Sequence, residues 1–169
     1  MRILGIDPGS RTTGWGVVEV EGEVRKVVAC GSIVLDGRKA LSLRLASLCS
    51  ELTGLVAEWG PATAAVEAPF HGVNARSALQ LAHARGAILS VLGEARIEVH
   101  EYAPATVKKV VSGHGRADKA GIQAMVAHWL PEVREPVLRS ADLADALAIA
   151  LCHAWHRSPE LLATTERNR

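Results

Sequence analysis

Residues 2–35 read "RILGIDPGSRTTGWGVVEVEGEVRKVVACGSIVL". The apolar run "RILGI" halts at Asp7, a turn rich in Gly, Pro, Ser and Thr follows, and β-branched residues then resume with "EG" at 21–22 as an internal turn signal. This pattern predicts three consecutive antiparallel strands. Downstream, Leu41, Leu45, Leu48, Leu52, Leu55 and Val56 keep a helical period over residues 39–59 until Gly60 and Pro61 end it. "TAAVEAP" (63–69) reads as a short strand closed by Pro69, residues 74–94 as a second helix, and "IEVHEYA" (97–103) as a last strand. Pro104 suits the first turn of a helix through residue 111, which "SGHG" (112–115) breaks. Residues 117–130 form another helix ended by "PEVREP" (131–136), and "SADLADALAIALCH" (140–153) is the final one.

Three strands, helix, strand, helix, strand and helices imply an α/β protein. The expected architecture is a mixed five-stranded sheet, its first three strands antiparallel, with helices on both faces. A chain of 169 residues, 49% hydrophobic, suits one domain with a well-filled core. That domain is expected over residues 1–157, with a flexible tail over 158–169. Cys30, Cys49 and Cys152 are odd in number and far apart, which argues against a disulfide framework or a zinc knuckle. "MRILGID" reads as a strand rather than a leader, and no 18-residue apolar run occurs, so a cytoplasmic protein with no membrane role is expected. The charge balance of +1 gives little hint of a polyanionic partner. Sequestering four carboxylates on cations would leave the remainder net basic.

Four carboxylates call for that explanation. Asp7 ends the first strand, where Asp before Pro-Gly also opens a turn in the ordinary way. Glu67 ends an apolar strand, where an unpaired charge is expensive. If the first and fourth strands pair in parallel, both acids lie at the carboxyl edge of an open sheet, where ligand sites gather. Asp142 and Asp145, three apart at the start of the last helix, share one helix face; they also suit the positive end of the helix dipole as caps. Such acids either take up protons or hold cations, and oxygen ligands without Cys or His favour two Mg²⁺ or Mn²⁺ ions. A pair of such ions is the apparatus of phosphodiester hydrolysis, so a metal-dependent nuclease is expected.

The blocks "LGIDPGSRTTGWGVV", "VEAPF", "ATVKKVVSGHGRADKAGIQAMV" and "ADLADALAIALCHA" occur in order over nearly the whole chain. Together they resemble the crossover junction endodeoxyribonuclease RuvC family, Holliday-junction resolvases with a ribonuclease-H-like fold. The resemblance implies catalytic, metal-holding acids at Asp7, Glu67, Asp142 and Asp145; some relatives carry His where this chain has Asp142. It implies a homodimer that nicks two strands of a four-way DNA junction symmetrically, leaves 5′-phosphate ends, prefers a short T-containing sequence and works beside the branch-migration proteins RuvA and RuvB.

Lys108, Lys109, Arg116 and Lys119 flank "SGHG" and form either a phosphate-contacting patch or a solvated basic face. The resemblance favours phosphate contact for Lys108 and Lys119. Phe70 stacks on an unpaired base or fills the core. Arg76 and Arg85 either touch DNA or face water. Ala78, Ala82, Gly86 and Ala87 permit close helix approach, to a second subunit or to the sheet. His153 and His156 lack a third ligand at a sensible spacing and are expected on the helix surface or near DNA; Trp59, Trp129 and Trp155 are expected at core edges.

Two other readings remain. "GIDPGSRTTGWGVV" also resembles the phosphate-gripping hairpin of actin-like and sugar-kinase ATPases, although those need a second domain. A junction-binding module without catalysis is the third.

Overall fold

The computed structural model describes residues 1–69, 75–113 and 117–157. Its sheet has the order β3-β2-β1-β4-β5. β1 (Arg2–Asp7), β2 (Thr12–Glu21) and β3 (Val24–Val34) run as an antiparallel meander, turned at Gly22 with φ 59°. β4 (Thr63–Glu67) lies parallel to β1 with Ile6 opposite Val66, and β5 (Glu98–Tyr102) lies parallel to β4 with Tyr102 opposite Glu67. The mixed five-stranded sheet expected from the pattern is therefore present, and its two central parallel strands end in Asp7 and Glu67.

Helices cover both faces. α1 (Leu41–Trp59) and α2 (Ala75–Glu94) bury Leu48, Leu52, Ile88 and Leu92 against Leu4, Ile6, Ala64 and Val66. α3 (Pro104–Ser112), α4 (Lys119–Trp129), α5 (Arg134–Arg139) and α6 (Ala141–Arg157) pack Val111, Val126, Leu147 and Leu151 against Ile3, Val18 and Ala65. Successive strand side chains point to opposite faces, so the residues in step with Ile3 and Ala65 lie on the α6 side. Those residues include Asp7 and Glu67.

Termini obey local chemistry. α1 stops where Gly60 takes φ 52° and its N–H bonds the Val56 carbonyl at 3.0 Å, and α3 stops at Gly113 with φ 80°. One expectation needs correcting. "PEVREP" does not simply break the chain but forms a 3₁₀ turn (Pro131–Val133) and then α5. Pro136 is tolerated because it occupies the first turn of α5, whose N–H groups have no partner within the helix anyway. Glu132 in the 3₁₀ turn accepts the Val27 N–H at 2.7 Å, tying this segment to the edge strand β3.

The last helix carries more buried residues than any other described element: every residue from Ala146 to Trp155 lies in the core. Trp155 is thus a central core residue rather than an edge one, with Trp129 against it at 5.3 Å between ring centroids. Cys30, Cys49 and Cys152 are free thiols.

Candidate active site

α6 crosses the sheet directly over the ends of β1 and β2, and glycines make that approach geometrically feasible. A Cβ on Gly5 would fall within 3.0 Å of the Ala146 carbonyl oxygen and of Ala150; one on Gly14 would strike the Asp142 carbonyl oxygen, and one on Gly16 the Leu147 side chain. Helix backbone rests on strand backbone. The start of α6, with Asp142 and Asp145, is thereby set beside Asp7.

Capping at this helix end falls to another residue. The Ser140 hydroxyl accepts the Leu143 N–H at 3.5 Å, and the Ser140 carbonyl accepts the Ala144 N–H. Neither aspartate is needed for that task.

The carboxylates converge electrostatically. Asp7 is pushed up to about 8, by burial first and then by the charges of Glu67, Asp145 and Asp142. Its protonated carboxyl donates a hydrogen bond to Glu67. Glu67 is also raised, by burial first and then by Asp145, against the opposing pull of the Asp7 hydrogen bond, Lys108 and Lys119. Asp145 is raised by burial and by Asp142, with Lys119 and Lys108 opposing. The charges of Glu67, Asp142 and Asp145 thus act on Asp7, and the same two lysines act on both Glu67 and Asp145.

The remaining predicted residues divide. Lys108 comes from α3 and Lys119 is the first residue of α4, whose cap is Asp118 accepting the Gly121 N–H at 2.8 Å. A cation in the first turn opposes the helix dipole. Its position is therefore not explained by helix stability, in keeping with a role toward the acidic corner. Lys109 is exposed on α3, and Arg76 is exposed in the first turn of α2. Phe70 and Arg116 lie outside the described residues, as does the tail 158–169.

Two expectations are overturned. Arg85 neither faces water nor stands ready for DNA: it is 7% exposed, donates to the Glu67 backbone carbonyl and pairs with Glu101 at 2.6 Å. His153 is 1% exposed and sits between Thr63 and Tyr102, so it is no surface residue. The small-residue surface of α2 is partly as anticipated, since Ala78, Ala82 and Gly86 are exposed.

Sequence reasoning missed the seat of α6 and the buried Arg85. Glycines inside strands were the available signal for the first, because they mark close backbone approach. For Arg85 no local signal exists, since its partners come from β4 and β5.

The donor chemistry fits divalent cations. All four groups are hard oxygen donors, two lysines cannot balance them, and the Asp7 proton occupies the place where positive charge is wanted. Among the described residues no three Asp, Glu, His or Cys side chains are already drawn together into a metal-holding cluster.

A mixed sheet of this order, with acids at the ends of its two central parallel strands and a third acidic side on the crossing helix, defines a ribonuclease-H-like nuclease. The chain belongs to the RuvC family: the family model described as "Crossover junction endodeoxyribonuclease RuvC" matches residues 3–153. A protein of that description from Azorhizobium caulinodans is 44% identical over 162 residues, covering 96% of this chain and 94% of the relative. One from Maricaulis maris is 48% identical over 157 residues, covering 93% and 92%. The solved structure of Thermus thermophilus RuvC in complex with a Holliday junction substrate superposes with a TM-score of 0.87 at 30% identity, covering 95% of this chain and 97% of that one. The yeast mitochondrial Holliday junction resolvase Ydc2, 16% identical with a TM-score of 0.64, shares the fold. Family membership displaces the ATPase reading.

Proposed function

We propose that this chain is a Mg²⁺-dependent resolvase that cuts four-way DNA junctions by paired, symmetric nicks, with Asp7, Glu67, Asp142 and Asp145 as its catalytic and metal-holding residues. The observation that carries the assignment is the mutual action of these carboxylates at the carboxyl end of β1 and β4, flanked by Lys108 and Lys119. Two divalent cations held there would supply an activated water and stabilise the departing 3′ oxygen; Mn²⁺ is expected to substitute.

The residues themselves perform the rest. Asp7 and Glu67 sit on rigid strand ends, so their carboxylates are oriented before substrate arrives. Asp7 would act as a ligand in its ionised form, which burial and then the neighbouring acids disfavour and which a divalent cation held there would favour. Lys108 and Lys119 hold the phosphate whose negative charge would otherwise be repelled by the acids. Phe70 stacks on a base opened at the crossover, and Lys109, Arg76 and Arg116 contact the backbone farther out.

The active species is a homodimer, in which two such sites give two nicks of like polarity; the exposed small residues of α2 suit a symmetric contact. The T. thermophilus relative bound to a Holliday junction supports the substrate class. The catalytic domain spans residues 1–157. It works in the cytoplasm with the branch-migration proteins RuvA and RuvB; no described helix is long and apolar enough to cross a membrane.

Gel analysis of a synthetic four-way junction against a linear duplex of the same sequence tests the proposal. Mg²⁺ should support cleavage of the junction alone and Ca²⁺ should allow binding with little turnover. Equal cutting of both substrates, or cutting in EDTA, would overturn it. A module that binds without catalysis predicts no difference between wild type and Asp7→Asn in any of these lanes.

A further inference from the structure

We propose that Arg85 is a positioning residue for Glu67, holding the end of β4 from the face of the sheet opposite the acidic corner. The inference rests on the reading of Glu67 as a metal-holding residue. Arg85 projects from the inner face of α2, among Ala84, Ile88 and Leu92, and is 7% exposed. A guanidinium placed so deep in an apolar layer is costly unless its donors are matched. Two are: one N–H group goes to the Glu67 carbonyl oxygen and another to the Glu101 carboxylate at 2.6 Å.

The strand end explains the need. Pairing of β4 with β1 stops at Ile6 and Val66, and two residues beyond Ile6 stands Pro8, which has no N–H to prolong the ladder. On the other side the Ala68 N–H reaches the Tyr102 carbonyl at 2.8 Å. The Glu67 carbonyl thus takes its donor from a side chain. Strand geometry sends the Glu67 side chain toward α6, whereas Arg85 comes from the α2 face. Holding the peptide from one face fixes the direction in which the side chain leaves the other.

Charge is not the means. The cations that act on the Glu67 carboxylate are Lys108 and Lys119, while Arg85 has its own counter-ion in Glu101. What matters is the fork that spans two acceptors, which a lysine cannot reproduce. Glu101, 46% exposed at its side chain, keeps the fork from swinging away.

Arg85→Lys and Glu101→Gln test this beside wild type and Asp7→Asn. Four measurements serve: single-turnover cleavage of a four-way junction, junction affinity in Ca²⁺, Mn²⁺ affinity of the protein without DNA, and amide exchange at Ala68. In Arg85→Lys we expect cleavage slower by about 10–100-fold and Mn²⁺ bound several-fold more weakly, with junction affinity held within about twofold. The Ala68 amide should exchange about tenfold faster. Glu101→Gln should move each readout the same way by less, and because its site is half exposed it answers even if Arg85→Lys melts. A purely structural role would instead lower thermal stability and leave Mn²⁺ affinity and Ala68 exchange unchanged in the folded fraction. That result, or wild-type cleavage by Arg85→Lys, overturns the inference. If Asp7→Asn cuts normally, the site reading itself has failed; if Asp7→Asn is inactive while Arg85→Lys and Glu101→Gln match wild type, only the role of Arg85 has.

Discussion

Gly14 in β2 lies so close beneath Asp142 that a single added carbon would overlap the Asp142 carbonyl oxygen. The register places Gly14 opposite Asp7, so one contact sets the depth of the helix start and its separation from the first catalytic strand. Gly14→Ala must therefore lift the N-terminal turn of α6. Overpacking of this kind costs about 1–3 kcal/mol, and a shift near 1 Å at a catalytic group costs about 100-fold in rate. Single-turnover junction cleavage with parallel thermal melts checks both. Gly54→Ala on α1, where an added Cβ meets nothing, is the control: cleavage stays constant and stability rises by about 0.5–1 kcal/mol.

Asp145→Asn separates catalysis from folding. Ser140 caps α6, so the aspartate is not required for the helix start, and its burial beside other acids raises its pKa. The variant should bind junctions normally and lose at least about 100-fold in cleavage, the scale of losing one preorganised electrostatic group. Its melting temperature without metal should match or exceed wild type, because a repulsive charge has gone. A melting temperature several degrees lower with cleavage intact would return Asp145 to a structural role.

Asp7 predicts how cations and pH combine. Its pKa is raised from the ordinary carboxylate value to about 8 in the folded protein, so between those values the folded state holds a proton that the unfolded chain has released. This contribution to stability is full in acid and is lost as pH rises through about 8. Without divalent cations the protein should therefore weaken from pH 6 to 9, whereas Mg²⁺, which takes the proton's place, should raise the melting temperature more at pH 8.5 than at pH 6. Asp7→Asn should abolish most of that Mg²⁺ response. Melts in EDTA and in Mg²⁺ at the two pH values decide it.

His153 gives the opposite slope. Thr63 commits its hydroxyl hydrogen to the Glu98 carbonyl at 3.0 Å, so His153 Nε2–H donates to Thr63 at 3.3 Å and Nδ1 accepts the Tyr102 O–H at 2.8 Å. This arrangement requires the neutral ring, and burial, then His100, lowers its pKa from 6.5 to about 4. Because the folded pKa is depressed, the stability is present above pH 6.5 and lost as pH falls toward 4. The contribution is about 3 kcal/mol. Urea denaturation at pH 7.5, 5.5 and 4.5 should show the gap between wild type and His153→Leu narrowing by about that amount, and Tyr102→Phe should cost about 1–3 kcal/mol at pH 7.5 by stranding Nδ1.

Local pattern carried the strands, the meander and the five expected helices, α1 to α4 and α6, because those features depend on residues near one another in sequence. Asp7 and Glu67 stand out in the sequence for a related reason: a charge at the end of an apolar strand is conspicuous wherever the strand pairs. Arg85 and His153 were misread because both lie on helices as isolated polar residues, and only the arrival of β4 and β5 buries them with partners. α5 was lost to Pro136, whose breaking effect vanishes in a first turn. Gly14 reads as the end of the turn after Asp7, and Gly5 and Gly16 as ordinary strand positions, because the helix that rests on them comes from the far end of the sequence.

Lys119 offers the clearest separation of phosphate contact from general basicity. It begins α4 against the helix dipole and acts on both Glu67 and Asp145, whereas Lys109 stands exposed on α3. Replacing Lys119 by Ala should remove one phosphate contact, flattening the logarithmic salt dependence of junction binding by about 0.9 and weakening binding alike for all junction sequences. Cleavage should fall further than binding, because the lost charge also offsets repulsion between the scissile phosphate and the acids. The Lys119→Ala protein should in addition bind Mn²⁺ no more weakly than wild type, since removing a nearby cation makes the acidic corner more attractive to metal. An unchanged salt slope would assign Lys119 to the protein's own electrostatics rather than to DNA.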